Sequence, residues 1–136
     1  MLWQQAKDSL RLELQNGAFG HARELAVLLL EAGLKSDSPE ALALAKSESL
    51  VRADAQTLHI LAWAQFESGL VQAARATMQR ALRFGVQDAV MSYRMGQIEM
   101  ALGNTKTAQK WFDQAKKINP KLDSMLLVLG LEKKGE

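Results

Sequence analysis

The stretch AVMSYRMGQIEMALGNTKTAQKWFDQAKKINPKL, residues 89–122, decides the fold, because its pattern also occurs in residues 55–88. Small residues, large apolar residues and a glycine between two helix-like segments all recur at a constant offset of 34 residues. The matched pairs are Leu61 and Met95, Ala62 and Gly96, Gly69 and Gly103, Ala74 and Ala108, Met78 and Phe112, and Ala81 and Ala115. A constant period of about 20–50 residues is the signature of a repeat architecture built from one supersecondary unit.

The period and the residue types resemble the tetratricopeptide repeat, a helix–turn–helix unit of about 34 residues. In residues 89–122, Met95-Gly96 match the large–small pair of the first helix, and Gly103 matches the turn. The second helix and its end supply the remaining matches, Ala108, Phe112, Ala115 and Pro120. The resemblance implies an all-α solenoid of antiparallel helix pairs, with about eight helices wound into a right-handed superhelix.

Three positions depart from the family pattern. Ser92 and Glu99 stand where the family has tryptophan and tyrosine, and Val86 stands where residues 55–88 should close with proline. These departures affect the fine packing and leave the predicted fold unchanged.

The same register predicts one domain over residues 1–136. Upstream, Leu25-Ala26 and Gly33 continue it at a spacing of 36 residues, which requires an insertion in the turn, and downstream Leu129-Gly130 continue it at 34. The predicted parts are an N-terminal helix at 2–16, a degenerate repeat at 19–54, repeats at 55–88 and 89–122, and a terminal helix at 123–136 that begins a partial repeat. No segment shows the sustained alternation with β-branched residues that predicts a strand.

Residues 17–26 and 57–64 also resemble, more weakly, the C-terminal repeat region of large uncharacterised bacterial tetratricopeptide proteins. Many of those proteins are exported, so the resemblance adds export to the expected compartments if the chain is part of a longer protein. The default expectation is cytoplasmic, because residues 1–5 lack the basic and apolar runs of a secretory signal.

Composition narrows the function classes. The chain has 17 basic and 15 acidic residues, a net charge of +2, which is too balanced to indicate nucleic-acid binding. It has no cysteine, which excludes disulfides and thiolate metal sites, and no apolar run of membrane-spanning length. Its two histidines, His21 and His59, fall in different repeats without a metalloprotease or acid–base motif. We therefore expect no enzyme activity and no cofactor.

By the resemblance, the first helix of each pair lines a concave groove. Removing the packing positions leaves a second stripe on each of the two central first helices. One stripe contains His59, Trp63, Phe66 and Glu67, and the equivalent stripe contains Tyr93, Arg94, Gln97 and Met100. Aromatic residues and arginine dominate binding hot spots, so the stripes predict a groove for a partner's peptide or helix. The alternative is that Trp63 and Phe66 pack against the neighbouring pair.

Two other functions stay open. A small ligand held between Trp63 and Tyr93 is one of them, and self-assembly is the other. The run Met-Leu-Leu-Val-Leu-Gly-Leu, residues 125–131, is apolar on every side of a helix, whereas a terminal repeat should be polar outside. Leu127, Val128 and Leu131 point away from the packing register, so we expect them to be covered by further repeats downstream, by a partner or by a second copy of the chain.

Overall fold

The computed structural model describes residues 2–15 and 21–123, and every regular element in these ranges is helical. The helices are α1 (Leu2–Gln15), α2 (His21–Ala32), α3 (Ser38–Val51), α4 (Ala55–Glu67), α5 (Val71–Leu82), α6 (Ala89–Ala101) and α7 (Thr105–Ile118), with a 3₁₀ turn at Lys35–Asp37. The predicted all-α fold of packed helix pairs is confirmed. Residues 124–136, which contain most of the predicted terminal helix, lie outside the described residues.

The chain divides into two compact units, Met1–Phe84 and Gly85–Glu136. The first unit contains α1 to α5, and the second contains α6 and α7. The predicted single domain and its repeat boundaries stay a prediction.

The turns that close the first helices show the repeat directly. Gly69 and Gly103 both have φ of 83°, a left-handed conformation that costs glycine nothing. The residue after each glycine donates a backbone hydrogen bond to the carbonyl five residues earlier. Leu70 N–H donates to Gln65 O at 2.8 Å, and Asn104 N–H donates to Glu99 O at 2.9 Å. The equivalent turns of successive repeats therefore end their helices with the same Schellman-type hydrogen bonds.

The core of the first unit lies where α2, α3 and α4 meet. Its cluster combines leucines and alanines of α2 and α3 with the side chains of α4, namely Leu25, Ala26, Leu29, Leu30, Ala41, Ala45, Ile60, Leu61, Trp63 and Ala64. On α5, the predicted packing positions Ala74, Met78 and Ala81 are fully buried. The repeat pattern therefore marks true core positions in this unit.

In the second unit, α6 and α7 approach closely at a glycine. A Cβ placed on Gly96 would overlap the ring of Phe112, so only glycine fits there while that ring keeps its position. Ala89, Ala115 and Leu122 form the adjoining cluster, and Tyr93 and Ile118 pack against it. This close approach explains why a helix tolerates glycine at a cost of about 1 kcal/mol relative to alanine.

Candidate partner-binding faces

The predicted stripes lie on two first helices, α4 in the first compact unit and α6 in the second. The α4 face consists of His59, Trp63, Phe66 and Glu67, and the α6 face consists of Tyr93, Arg94, Gln97 and Met100. Both follow the helical i, i+4, i+7 spacing that places residues on one side of a helix.

On the α4 face, burial separates the residues into two groups. His59 is 5% exposed and Trp63 is 8% exposed, and Trp63 belongs to the cluster formed with α2 and α3. Phe66 is half-buried and Glu67 is exposed. Of these four residues, a partner can therefore reach only Phe66 and Glu67 without rearrangement of the first unit.

On the α6 face, three of the four residues are accessible. Tyr93 and Gln97 are half-buried, Met100 is 45% exposed, and Arg94 is 7% exposed. The Tyr93 ring lies 5.3 Å from the Phe112 ring, centroid to centroid, at an interplanar angle of 46°. This tilted contact lies within the favourable range for aromatic pairs and holds the half-buried Tyr93 ring against α7.

A cleft of about 510 Å³ opens at one end of the first unit. Lys35, Ser38 and Pro39, which precede and begin α3, form one wall. The other wall is the last turn of α4 and the residues after it, Phe66, Glu67, Ser68 and Gly69. The cleft therefore includes both accessible residues of the α4 face.

Ion pairs that the sequence did not reveal fix the wall formed by α3. Lys7 on α1 donates to Asp37 at 2.9 Å, and both side chains are largely buried. Arg11, one turn later, forms a two-point hydrogen bond with the Glu40 carboxylate. These pairs attach α1 to the start of α3, and pairing between residues so distant in the sequence leaves no local signal.

Aspartates that begin the first helices form a second unpredicted feature. Asp54 accepts from Thr57 N–H at 2.7 Å, and Asp88 accepts from Val90 N–H at 2.9 Å. These contacts cap α4 and α6 at equivalent positions of successive repeats, so the repeat offset itself could have revealed them. The bond from Thr57 N–H lowers the pKa of the Asp54 carboxyl, with a smaller contribution from Arg23.

The family comparison agrees with this geometry. Residues 89–122, which contain α6 and α7, match the model of a family described as tetratricopeptide repeat. These residues form a tetratricopeptide repeat. The predicted recognition of the tetratricopeptide family, made from the pattern of the same residues, is confirmed.

Solved tetratricopeptide-like structures share the fold. A crystal structure of MamA has a TM-score of 0.74 at 20% identity and covers 95% of this chain and 75% of its own. A MamA segment beginning at residue 41, from Desulfovibrio magneticus RS-1, has a TM-score of 0.72 at 18% identity and covers 89% of this chain and 68% of its own. None of the curated proteins matches the chain. At these identities, the likeness to MamA concerns the fold alone.

The described residues contain neither a metal-binding cluster nor a membrane-spanning helix. No group of three or more histidine, aspartate or glutamate side chains in residues 2–15 and 21–123 could hold a metal ion. In the same ranges, no helix combines the length and the apolar character needed to cross a membrane. The self-association residues Leu127, Val128 and Leu131 lie outside the described residues.

Proposed function

We propose that this tetratricopeptide protein is a non-catalytic scaffold that binds a peptide or helix of a protein partner through its first-helix faces. The observation that carries the proposal is the α6 face. One side of α6 is buried by packing. On its other side, the half-buried Tyr93 and Gln97 and the exposed Met100 form one accessible row. Such a row suits a partner helix that lays an apolar side into a groove.

The chemistry of the α6 face supports a protein partner. Tyr93 offers a rigid ring with a hydroxyl, and its contact with Phe112 reduces the entropy lost when a partner binds. Met100 offers a flexible, polarizable side chain that adapts to irregular surfaces. Gln97, between them, can both donate and accept a hydrogen bond.

The buried members of the predicted site have a supporting role in this proposal. His59, Trp63 and Arg94 are each more than nine-tenths buried, so they shape the helices that present the faces. Phe66 and Glu67 are the members of the α4 face that a partner contacts.

A variant pair tests the α6 face. Gln97→Lys with Met100→Lys places two charges on the row without removing core volume. The matched control is Gln72→Lys with Ala76→Lys, at exposed positions on α5. Proteins captured from an extract of the source cells are identified with the unchanged chain and then measured as purified partners.

We expect the α6 variant to weaken binding by at least about tenfold, or 1.4 kcal/mol, while the α5 control binds normally. Circular dichroism confirms that both variants remain helical. A partner that binds the α6 variant and the control equally well would contradict this proposal.

A further inference from the structure

The cleft between the start of α3 and the end of α4 has walls of opposite charge. Lys35 lies on the α3 wall and Glu67 lies on the α4 wall, and neither forms an ion pair within residues 2–15 and 21–123. The helix ends add to this polarity, since the start of a helix is partially positive and its end partially negative. The cleft is therefore dipolar, with both charges still open to a ligand.

The two acids that follow Lys35 are already paired with cations of α1. Asp37 pairs with Lys7 at 2.9 Å, and Glu40 pairs with Arg11. The cations of α1 thus neutralise the two carboxylates that follow Lys35 at the start of α3. Among the described residues, Lys35 therefore remains as the unpaired positive charge of this wall.

The opposite wall contains a polar atom without a partner. Ser68 Oγ is buried and has no hydrogen-bond partner. A buried hydroxyl without a partner is unfavourable, and such a group in a native structure calls for an explanation. Because Ser68 lines the cleft, a polar group of a bound ligand would be the nearest source of a partner for this hydroxyl.

We propose that this cleft binds a segment of the protein partner that carries one acidic and one basic side chain. The acidic side chain lies against Lys35, and the basic side chain lies against Glu67. Phe66 and Pro39 contact the aliphatic parts of these side chains. The inference rests on the proposed scaffold function and adds the charge pattern of the partner.

The dimensions of the cleft agree with a peptide ligand. In an extended peptide, residues i and i+2 point to the same side and lie roughly 6.5 Å apart. Two such side chains can enter the same cleft and reach opposite walls, and about 510 Å³ is within the usual range for ligand sites.

Three acetylated and amidated pentapeptides test the charge pattern, Ala-Arg-Ala-Glu-Ala, Ala-Arg-Ala-Arg-Ala and Ala-Glu-Ala-Glu-Ala. Binding to the full chain is followed by the backbone amide resonances of Ser38 and Gly69. We expect the mixed peptide to bind about tenfold more tightly than the other two, because only it pairs with both walls.

Single charge reversals should change this preference in opposite directions. Lys35→Glu makes both walls negative and should favour the diarginine peptide, whereas Glu67→Lys should favour the diglutamate peptide. The controls are Lys46→Glu and Glu31→Lys, exposed positions outside the cleft, which should keep the preference for the mixed peptide.

An unchanged preference in both reversal variants, or no shift at Ser38 and Gly69, would overturn the inference. The α6 test separates this outcome from failure of the scaffold function. If the α6 variant loses its partner while no pentapeptide binds, only the cleft inference fails. If the pentapeptides behave as expected while the α6 variant keeps its partner, the assignment of binding to α6 fails.

Discussion

Helices α4 and α6 occupy the same position in successive repeats, yet the residues of their second stripes differ in solvent exposure. Trp63 on α4 is 8% exposed, whereas Gln97, its counterpart one repeat later on α6, is half-buried. His59 is buried, whereas its counterpart Tyr93 is half-buried. Repeat register thus fixes which side chains share a helix side, and it leaves their exposure undetermined.

The difference follows from what each helix contacts in its own unit. Within the first unit, α4 packs against α2 and α3, and their leucines and alanines cover Trp63. Within the described part of the second unit, α7 is the helix that packs against α6, on the side of Gly96 and Ala89. The second stripe of a first helix is therefore buried where a preceding helix pair of the same unit packs over it.

The comparison is tested most strongly by truncating the two equivalent residues. Trp63→Ala should lower the free energy of unfolding by about 3–5 kcal/mol, because it leaves a cavity among α2, α3 and α4. Gln97→Ala should change it by no more than about 0.5 kcal/mol. Denaturant unfolding measures both values. If Trp63→Ala unfolds like the unchanged chain, the tryptophan is a surface anchor and the comparison fails.

The register also has a third member, since Leu127 and Leu131 follow Tyr93 and Gln97 by one repeat length. We expect self-association through residues 123–133, in which each covered leucine contributes about 1.5–3 kcal/mol. Sedimentation at micromolar concentration should show a dimer, and the double variant Leu127→Glu, Leu131→Glu should weaken it at least about tenfold.

The matched control for that dimer is Leu50→Glu with Val51→Glu, at the end of α3, where both side chains are more than four-fifths exposed. This variant should sediment like the unchanged chain. A monomeric parent chain, or a dimer that persists in the Leu127→Glu, Leu131→Glu variant, would argue against residues 123–133 as the contact.

The sequence predicted the helix pairs well because their determinants are local and repeated. Ala74, Met78 and Ala81 recur as Ala108, Phe112 and Ala115, and Gly69 recurs as Gly103 with the same backbone angle. Each set of these residues falls within one helix–turn–helix unit. A pattern with the period of one helix pair therefore contains the information needed for the fold.

The candidate site was less predictable because exposure depends on contacts between pairs. The i, i+4, i+7 spacing of His59, Trp63 and Phe66 is the same for a buried stripe and an exposed one. The dipolar cleft depends further on Lys7 and Asp37, which pair although they are far apart in the sequence. Neither the covering helices nor this pairing can be read from local periodicity.

The smallest expected effect concerns the close approach of α6 and α7 at Gly96. Ala62 and Met78 of the earlier repeat correspond to Gly96 and Phe112 of the later one. The later repeat therefore has a smaller side chain on its first helix and a larger one on its second. Gly96→Ala should be destabilising, because overpacking against Phe112 costs about 1–3 kcal/mol while the better helix former returns only about 1 kcal/mol.

The double variant Gly96→Ala, Phe112→Met recreates the pair of the earlier repeat and should recover most of that loss. Phe112→Met alone provides the control, since it should create a small void beside Gly96 and remove the ring contact with Tyr93. Denaturant unfolding of all four chains gives the coupling energy between the two positions. If residues 96 and 112 are in close contact, each substitution must change the energetic cost of the other. Strictly additive effects on the free energy of unfolding would therefore contradict this contact.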